Sequence, residues 1–225
     1  MKNDITIIFL TLNEMPAFWT EFHKKTLLEA AGDSPIITIS KIPTNIGTNI
    51  IQSEPRSLSN IYWQLLRGAK LAKTQFIGVA EDDTIYPREH FLHIPKSGTF
   101  AYNMNHWSLF LWGEPTYSWR NRRGNYSLIA EREIVIEALE ERFKKYPNGT
   151  PERITGEMGR GMVERNMGIT VREASEFMTT IAIVNFNHEF ASDVLQKSHR
   201  KRMGMVRAFD IPYWGKAKDL VHNFR

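Results

Sequence analysis

Gln75-Phe76-Ile77-Gly78-Val79-Ala80-Glu81-Asp82-Asp83 is a short, largely apolar run that ends in three consecutive carboxylates. An apolar run without polar alternation is the pattern of a strand buried on both faces, as in a parallel sheet. Two runs of the same kind precede it, Ile5–Thr11 and Pro35–Ile39. Helix-like segments lie between them. Ala17–Ala31 follows the turn Asn13-Glu14-Met15-Pro16 and closes at Gly32. From about Ser57 to Lys73, the residues Leu58, Ile61, Leu65, Ala69 and Ala72 recur at spacings of three and four. They form one apolar helix stripe, which Ser57 or Ser59 can cap. Strands alternating with helices predict an α/β fold with a mainly parallel sheet. Ligand sites in such sheets lie at the carboxyl ends of strands, so Thr11–Glu14 and Glu81–Asp83 are expected at one edge.

The second half is less regular. Pro43–Ile50, before it, reads as a loop, and Gly98–Met104 as a strand followed by an aromatic-rich stretch to Trp119. Ile129–Tyr146 is a charged helix with Ile134, Ala138, Leu139 and Phe143 inward. Thr150–Gly168 is Gly-rich and loop-like, and Phe177–Phe186 is a strand or strand pair. There are no repeats and no linker, so residues 1–225 read as one domain.

Composition narrows the function classes. The 225 residues are 42% hydrophobic and 24% charged, enough apolar content for a core. There are no cysteines, which excludes a disulfide scaffold, a thiolate zinc site and a cysteine nucleophile. No apolar stretch is long enough to cross a bilayer, and a signal peptide is not evident. A cytoplasmic protein without membrane attachment or obligate protein partner is the expectation. The net charge of +4 permits a polyanionic partner without requiring one.

Three carboxylates at a strand end repel unless a cation or donor cluster compensates. An oxygen-rich site shared with substrate phosphates suits magnesium or manganese. The stretch Phe76–Pro87 resembles the metal-binding "DxD" segment of GT-A type glycosyltransferases, especially glycosyltransferase family 2. Ile7–Glu14 resembles that family's opening strand and nucleotide-contacting turn, and Ser57–Lys73 its helix before the acidic motif. The resemblance covers about the first hundred residues and implies a Rossmann-like GT-A domain. Its first half would bind a nucleotide-sugar, most simply a UDP-sugar, and residues 101–225 would form the acceptor side. It implies Asp83 as ligand of Mn2+ or Mg2+. Glu81, standing where the family has an Asp, and Asp82 would contact ribose or the metal's hydration shell. Thr11, Asn13 and Glu14 would contact base or ribose; helix capping is the competing role, for Asn13 especially. A late histidine often returns to the metal in such enzymes, which points to His188.

Other residues complete the candidate site. Trp119, Arg120, Arg122 and Arg123 mix aromatic and guanidinium groups, suited to stacking a base and forking onto phosphate. The basic segment His199–Arg207, with Arg200 and Arg202, could fold over a diphosphate. Glu157, in a Gly-rich stretch, is the first candidate for the base that deprotonates an acceptor hydroxyl, and Glu114 the second. The acceptor class stays open between a soluble carbohydrate, a protein and nucleic acid, including a hydroxymethylated base in phage DNA. A non-enzymatic nucleic-acid binding module is the alternative, but it would not need Glu81-Asp82-Asp83. A nucleotidyltransferase would ordinarily carry a Gly-rich, Lys/Arg-bearing loop after the first strand, where this chain has Thr11-Leu12-Asn13-Glu14.

Overall fold

A computed structural model describes residues 4–111, 113–119, 121–188 and 204–224. Along the chain, β1 (Ile5–Leu10), α1 (Ala17–Ala31), β2 (Ile36–Ser40), β3 (Thr48–Ile51), α2 (Leu58–Leu71) and β4 (Phe76–Glu81) come first. They are followed by β5 (Thr84–Ile85), β6 (Phe100–Asn103), β7 (His106–Phe110), β8 (Thr116–Trp119), β9 (Leu128–Glu131) and α3 (Arg132–Lys145). The rest is α4 (Gly161–Met167), β10 (Ala174–Phe177), β11 (Ile183–Asn187), β12 (Val206–Ala208), the pair β13 (Asp210–Ile211) and β14 (Gly215–Lys216), and α5 (Ala217–Val221).

The central sheet has seven strands in the order β10-β6-β9-β4-β1-β2-β3. Pairing is parallel throughout except at β9, which runs against both neighbours. The α/β expectation therefore holds, with a mainly parallel sheet between helices. In β1, Ile5, Ile7 and Phe9 pack towards Leu27, Ala30 and Ala31 of α1, while Ile8 and Leu10 pack towards Leu65, Leu66 and Ala69 of α2. This two-sided burial explains why the strand has no polar alternation. A second sheet, β12-β8-β7-β11-β5, carries its own core around Trp19, Leu109, Tyr117, Val184 and Phe186.

Several sequence-based expectations change. Residues 48–50, placed in a loop, belong to the edge strand β3, which exposes Thr48 and Ile51 and so lacks a buried-strand signature. The charged helix starts at Arg132, because Leu128–Glu131 pairs with β4 and β6 as a strand. The aromatic stretch to Trp119 forms the antiparallel strands β7 and β8. Phe177 and Ile183–Asn187 belong to strands of different sheets. The Gly-rich segment contains α4, ordered by a buried glutamate: Glu164 accepts from the backbone N–H of Gly159 at 2.8 Å and of Arg172 at 3.0 Å. In α2 the fully packed residues are Tyr62, Leu65, Leu66 and Ala69, whereas Ile61 turns to a cleft. Ser57 caps this helix as expected, accepting from Asn60 N–H at 3.0 Å.

The seating of α2 on the sheet depends on Gly68. A Cβ there would lie 2.5 Å from Cγ2 of Ile8, a fully buried residue of β1. Alanine has the better helix propensity by about 1 kcal/mol. Overpacking opposes it, so Gly68→Ala should still lower stability by about 1–3 kcal/mol. Urea unfolding measures this; a stability gain would contradict the close approach.

Candidate functional site

The site forms where β1 and β4 end side by side, Leu10 opposite Glu81 in register. Extended geometry stops at Glu81, so Glu81 and Asp83 do not share a face by strand alternation; Asp82 and Asp83 lie in a turn. Asp82 turns inward and accepts a 2.5 Å hydrogen bond from the Thr11 hydroxyl. Asp83 turns towards the second sheet. Its Oδ1 accepts from the Thr84 hydroxyl and from Asn185 Nδ2, both at 2.9 Å. Its Oδ2 lies 3.7 Å from Nε2 of the buried His188.

The backbone of this turn is gripped from outside. The Trp19 indole N–H donates to Asp82 O at 2.6 Å. His23 Nε2 is 3.1 Å from Glu81 O and 2.9 Å from Thr84 O. Phe186 N–H donates to Asp83 O at 2.7 Å, and Glu81 N–H donates to the Tyr86 hydroxyl at 3.0 Å. Trp19 and His23 are one turn apart on α1, hence on one helix face. Neither was singled out from sequence. No local signal marks them, because their partners lie 58 to 63 residues away along the chain.

Burial pushes the Asp82 carboxyl up to about 6, with the neighbouring Asp83 charge adding and the Thr11 hydroxyl opposing. Burial also lowers His23 from 6.5 to about 4, outweighing its two carbonyl partners. His23 is therefore neutral at pH 7, with its proton on Nε2 facing those carbonyls.

One cleft joins these parts. Leu10, Thr11, Leu12, Glu14 and Met15 line it, with Glu81, Asp82, Asp83 and His188 at one end. Arg56, Ser57, Asn60, Ile61 and Gln64 form the opposite wall. The structure thus brings together Thr11, Glu14, Glu81, Asp82, Asp83 and His188. Glu14 is engaged by Arg56 at 3.1 Å and lies 3.6 Å from Lys41 Nζ. Asn13 does not cap α1. It takes a left-handed backbone conformation, φ 57°, and its Oδ1 accepts from Lys41 N–H at 2.9 Å and Ile42 N–H at 3.1 Å. It shapes the loop behind the cleft.

The remaining candidates lie apart from the cleft. Glu157 is paired with Arg160 at 3.3 Å. Its loop is fixed by Arg142, which donates to Gly156 O at 3.1 Å, and by Tyr102, whose hydroxyl donates to Met158 O at 2.8 Å. Glu114 lines a separate depression with Phe209, Asp210 and Lys216. The Trp119 indole donates to Met104 O at 3.0 Å. Arg123 pairs with Glu176 and donates to Gly159 O at 3.2 Å, while Arg122 is exposed. Arg120, Arg200 and Arg202, and with them most of the basic segment, lie outside the described residues.

The donor chemistry of Asp83 and His188 fits a divalent ion. Two atoms 3.7 Å apart can both bind one ion at about 2.1 Å. Among the described residues no group of three or more His, Cys, Asp or Glu gathers for a metal. Remaining positions would fall to water and ligand phosphates, the usual arrangement for magnesium-type ions. Among the same residues no helix is long and apolar enough to cross a membrane.

No protein-family model matches the chain, and no curated protein sequence matches it. Several solved structures are similar to it. A nucleotidyl transferase from Methanothermobacter has a TM-score of 0.41 at 15% identity, covering 76% of this chain and 86% of that one. The mannosyltransferase PcManGT from Pyrobaculum calidifontis, in complex with GDP-Man and Mn2+, scores 0.46 at 12% identity. That match covers 84% of this chain and 58% of the mannosyltransferase. The 2-C-methyl-D-erythritol 4-phosphate cytidylyltransferase from Thermus thermophilus scores 0.47 at 10% identity, covering 81% and 93%.

The buried histidines make the fold acid-sensitive. His106 is lowered to about 4 and His90 to about 3, both by burial, alongside His23. Unfolded, each takes up its proton near pH 6.5; folded, only near 3 to 4. The unfolded state therefore binds more protons in that window. This contribution to stability is complete above pH 6.5 and is lost as pH falls through the window. Each group loses on the order of 1.4 kcal/mol per pH unit below 6.5, partly offset by the raised Asp82 carboxyl, so the urea midpoint should be lower at pH 5 than at pH 7.5 by about a molar or more. Equal midpoints would contradict neutral burial.

Proposed function

We propose that the protein is a metal-dependent glycosyltransferase that moves a sugar from a nucleotide-sugar to a hydroxyl acceptor. The observation that carries this reading is the approach of Asp83 Oδ2 and His188 Nε2 to 3.7 Å at a cleft bounded by the ends of β1 and β4 and by α2. Asp83 and His188 would hold Mn2+ or Mg2+. When bound, the ion would neutralise negative charge developing on the departing diphosphate.

The chain's own residues divide the remaining work. Asn185 and Thr84 orient Asp83 by donating to one carboxylate oxygen, leaving the other directed at His188. Thr11 fixes Asp82 at the cleft, and there Asp82 would meet ribose hydroxyls. Glu157 is assigned as the base that accepts the acceptor's proton. Its neighbour Met158 is held through its carbonyl by Tyr102 of β6, a strand separated from β4 by β9 alone.

Nucleotidyl transfer uses related parts but releases a different product. Wild-type protein with Mn2+ and a panel of nucleotide-sugars should release nucleoside diphosphate, and chelation should stop it. Turnover of nucleoside triphosphates with pyrophosphate release, and none of nucleotide-sugars, would overturn the assignment. Asp83→Asn should cut turnover by about 100-fold or more, by analogy with loss of one group stabilising developing charge, with an unchanged circular dichroism spectrum.

Glu157→Gln is a separate test. Loss of a positioned base should lower kcat by about 100- to 10,000-fold. Donor KM should stay the same, because the residue does not line the donor cleft. A change confined to KM would remove Glu157 from this role.

A further inference from the structure

The wall facing the acidic turn has an unused recognition surface. Asn60 is only 3% exposed, and its Oδ1 is buried with no hydrogen-bond partner. Gln64, also 3% exposed, lines the same cleft one helical turn later. Residues four apart project from one helix face, so both carboxamides belong to a single wall. The capping bond from Asn60 N–H to Ser57 Oγ fixes the backbone beneath the first of them. A buried carbonyl oxygen without a donor destabilises a folded chain, and such groups are rare in native structures. Asn60 lines the cleft, so rotation of its carboxamide presents this oxygen to a donor that arrives with a ligand.

The surroundings restrict that ligand. The polar groups of this wall are uncharged apart from Arg56, and Arg56 is occupied by Glu14. Ile61 and Met15 add apolar surface suited to a flat ring. A carboxamide presents one acceptor and an NH2 donor side by side, which matches a nucleobase edge carrying an N–H next to an acceptor. We infer that Asn60 and Gln64 form the base-reading wall of the cleft and decide which nucleotide the protein accepts. This inference rests on the nucleotide-donor reading above. It moves base recognition from Glu14, which two cations engage, to α2.

The test is equilibrium binding of UDP, GDP, ADP and CDP, each with Mn2+, alongside pyrophosphate with Mn2+ as a probe lacking the base. Asn60→Ala and Gln64→Ala should each weaken the preferred nucleotide at least tenfold while leaving pyrophosphate affinity unchanged. Asn60→Asp keeps the shape but replaces the NH2 donor with an acceptor, so it should reorder the four nucleotides. Asn60→Ala should also raise the melting temperature of the ligand-free protein, because the partnerless oxygen is gone. If wild-type protein discriminates among the four and the variants preserve that ranking and affinity, the inference fails while the donor reading stands. If the variants weaken pyrophosphate as much as the nucleotides, the wall does not read bases and the inference also fails. Wild-type protein that binds none of the four overturns the donor reading and the inference together.

Discussion

Four consecutive backbone carbonyls, Glu81 to Thr84, are held by donors from elements remote in sequence: His23 takes the first and last, Trp19 the second and Phe186 the third. The arrangement matters because three adjacent carboxylates favour an extended, solvated conformation. Binding the carbonyls fixes the backbone independently of the side chains. The carboxylates can then point in different directions, Asp82 to Thr11 and Asp83 to His188. A neutral His23 suits this role because a proton on Nε2 can serve two carbonyls without placing a charge in the core.

The same turn couples the two sheets. β4 belongs to the large sheet and β5, three residues on, to the small one, where it pairs antiparallel with β11. Val184 pairs with Ile85 and Asn185 with Thr84, which brings His188 to Asp83 from about a hundred residues away. β11 is itself positioned by parallel pairing with β7, from Ile183 opposite His106 to Asn187 opposite Phe110. The small sheet's aromatic core, Trp19 against Phe186 at 4.3 Å and against Phe224 at 5.1 Å, ties α1 to the same junction. The site therefore inherits its geometry from packing between layers.

Polar groups in the cleft are settled unevenly. Asp83 and Asp82 have defined donors, and Glu14 has cationic partners, whereas Asn60 Oδ1 has none. A chain optimised for stability alone would fill that wall with apolar side chains. Around β6 a second polar cluster is directed inward: Arg142 lies 4.2 Å from the centre of the Tyr62 ring and holds the loop bearing Glu157. Cation–π contact supplies part of the compensation that a buried guanidinium requires.

The amino-acid sequence by itself determined the parallel core and the acidic strand end. Ile5–Leu10, Ile36–Ile39 and Phe76–Ala80 are buried on both faces, and that demand is written locally as unbroken apolar runs. Thr11, Asp82, Asp83 and His188 were also legible as residue types suited to a strand-end site. Tertiary structure alone decided their roles. Strand geometry ends at Glu81, so period-two reasoning could not orient Asp83, and Asn13 serves a loop instead of the α1 cap. Edge strand β3 and short α4 escaped because neither carries a periodic apolar stripe: β3 is partly exposed at the sheet edge, and α4 is ordered by single polar bonds to Gly159 and Arg172. Trp19, His23 and Asn185 escaped because their function lies in whom they meet, and contacts 58 to 102 residues apart leave no pattern in the local sequence.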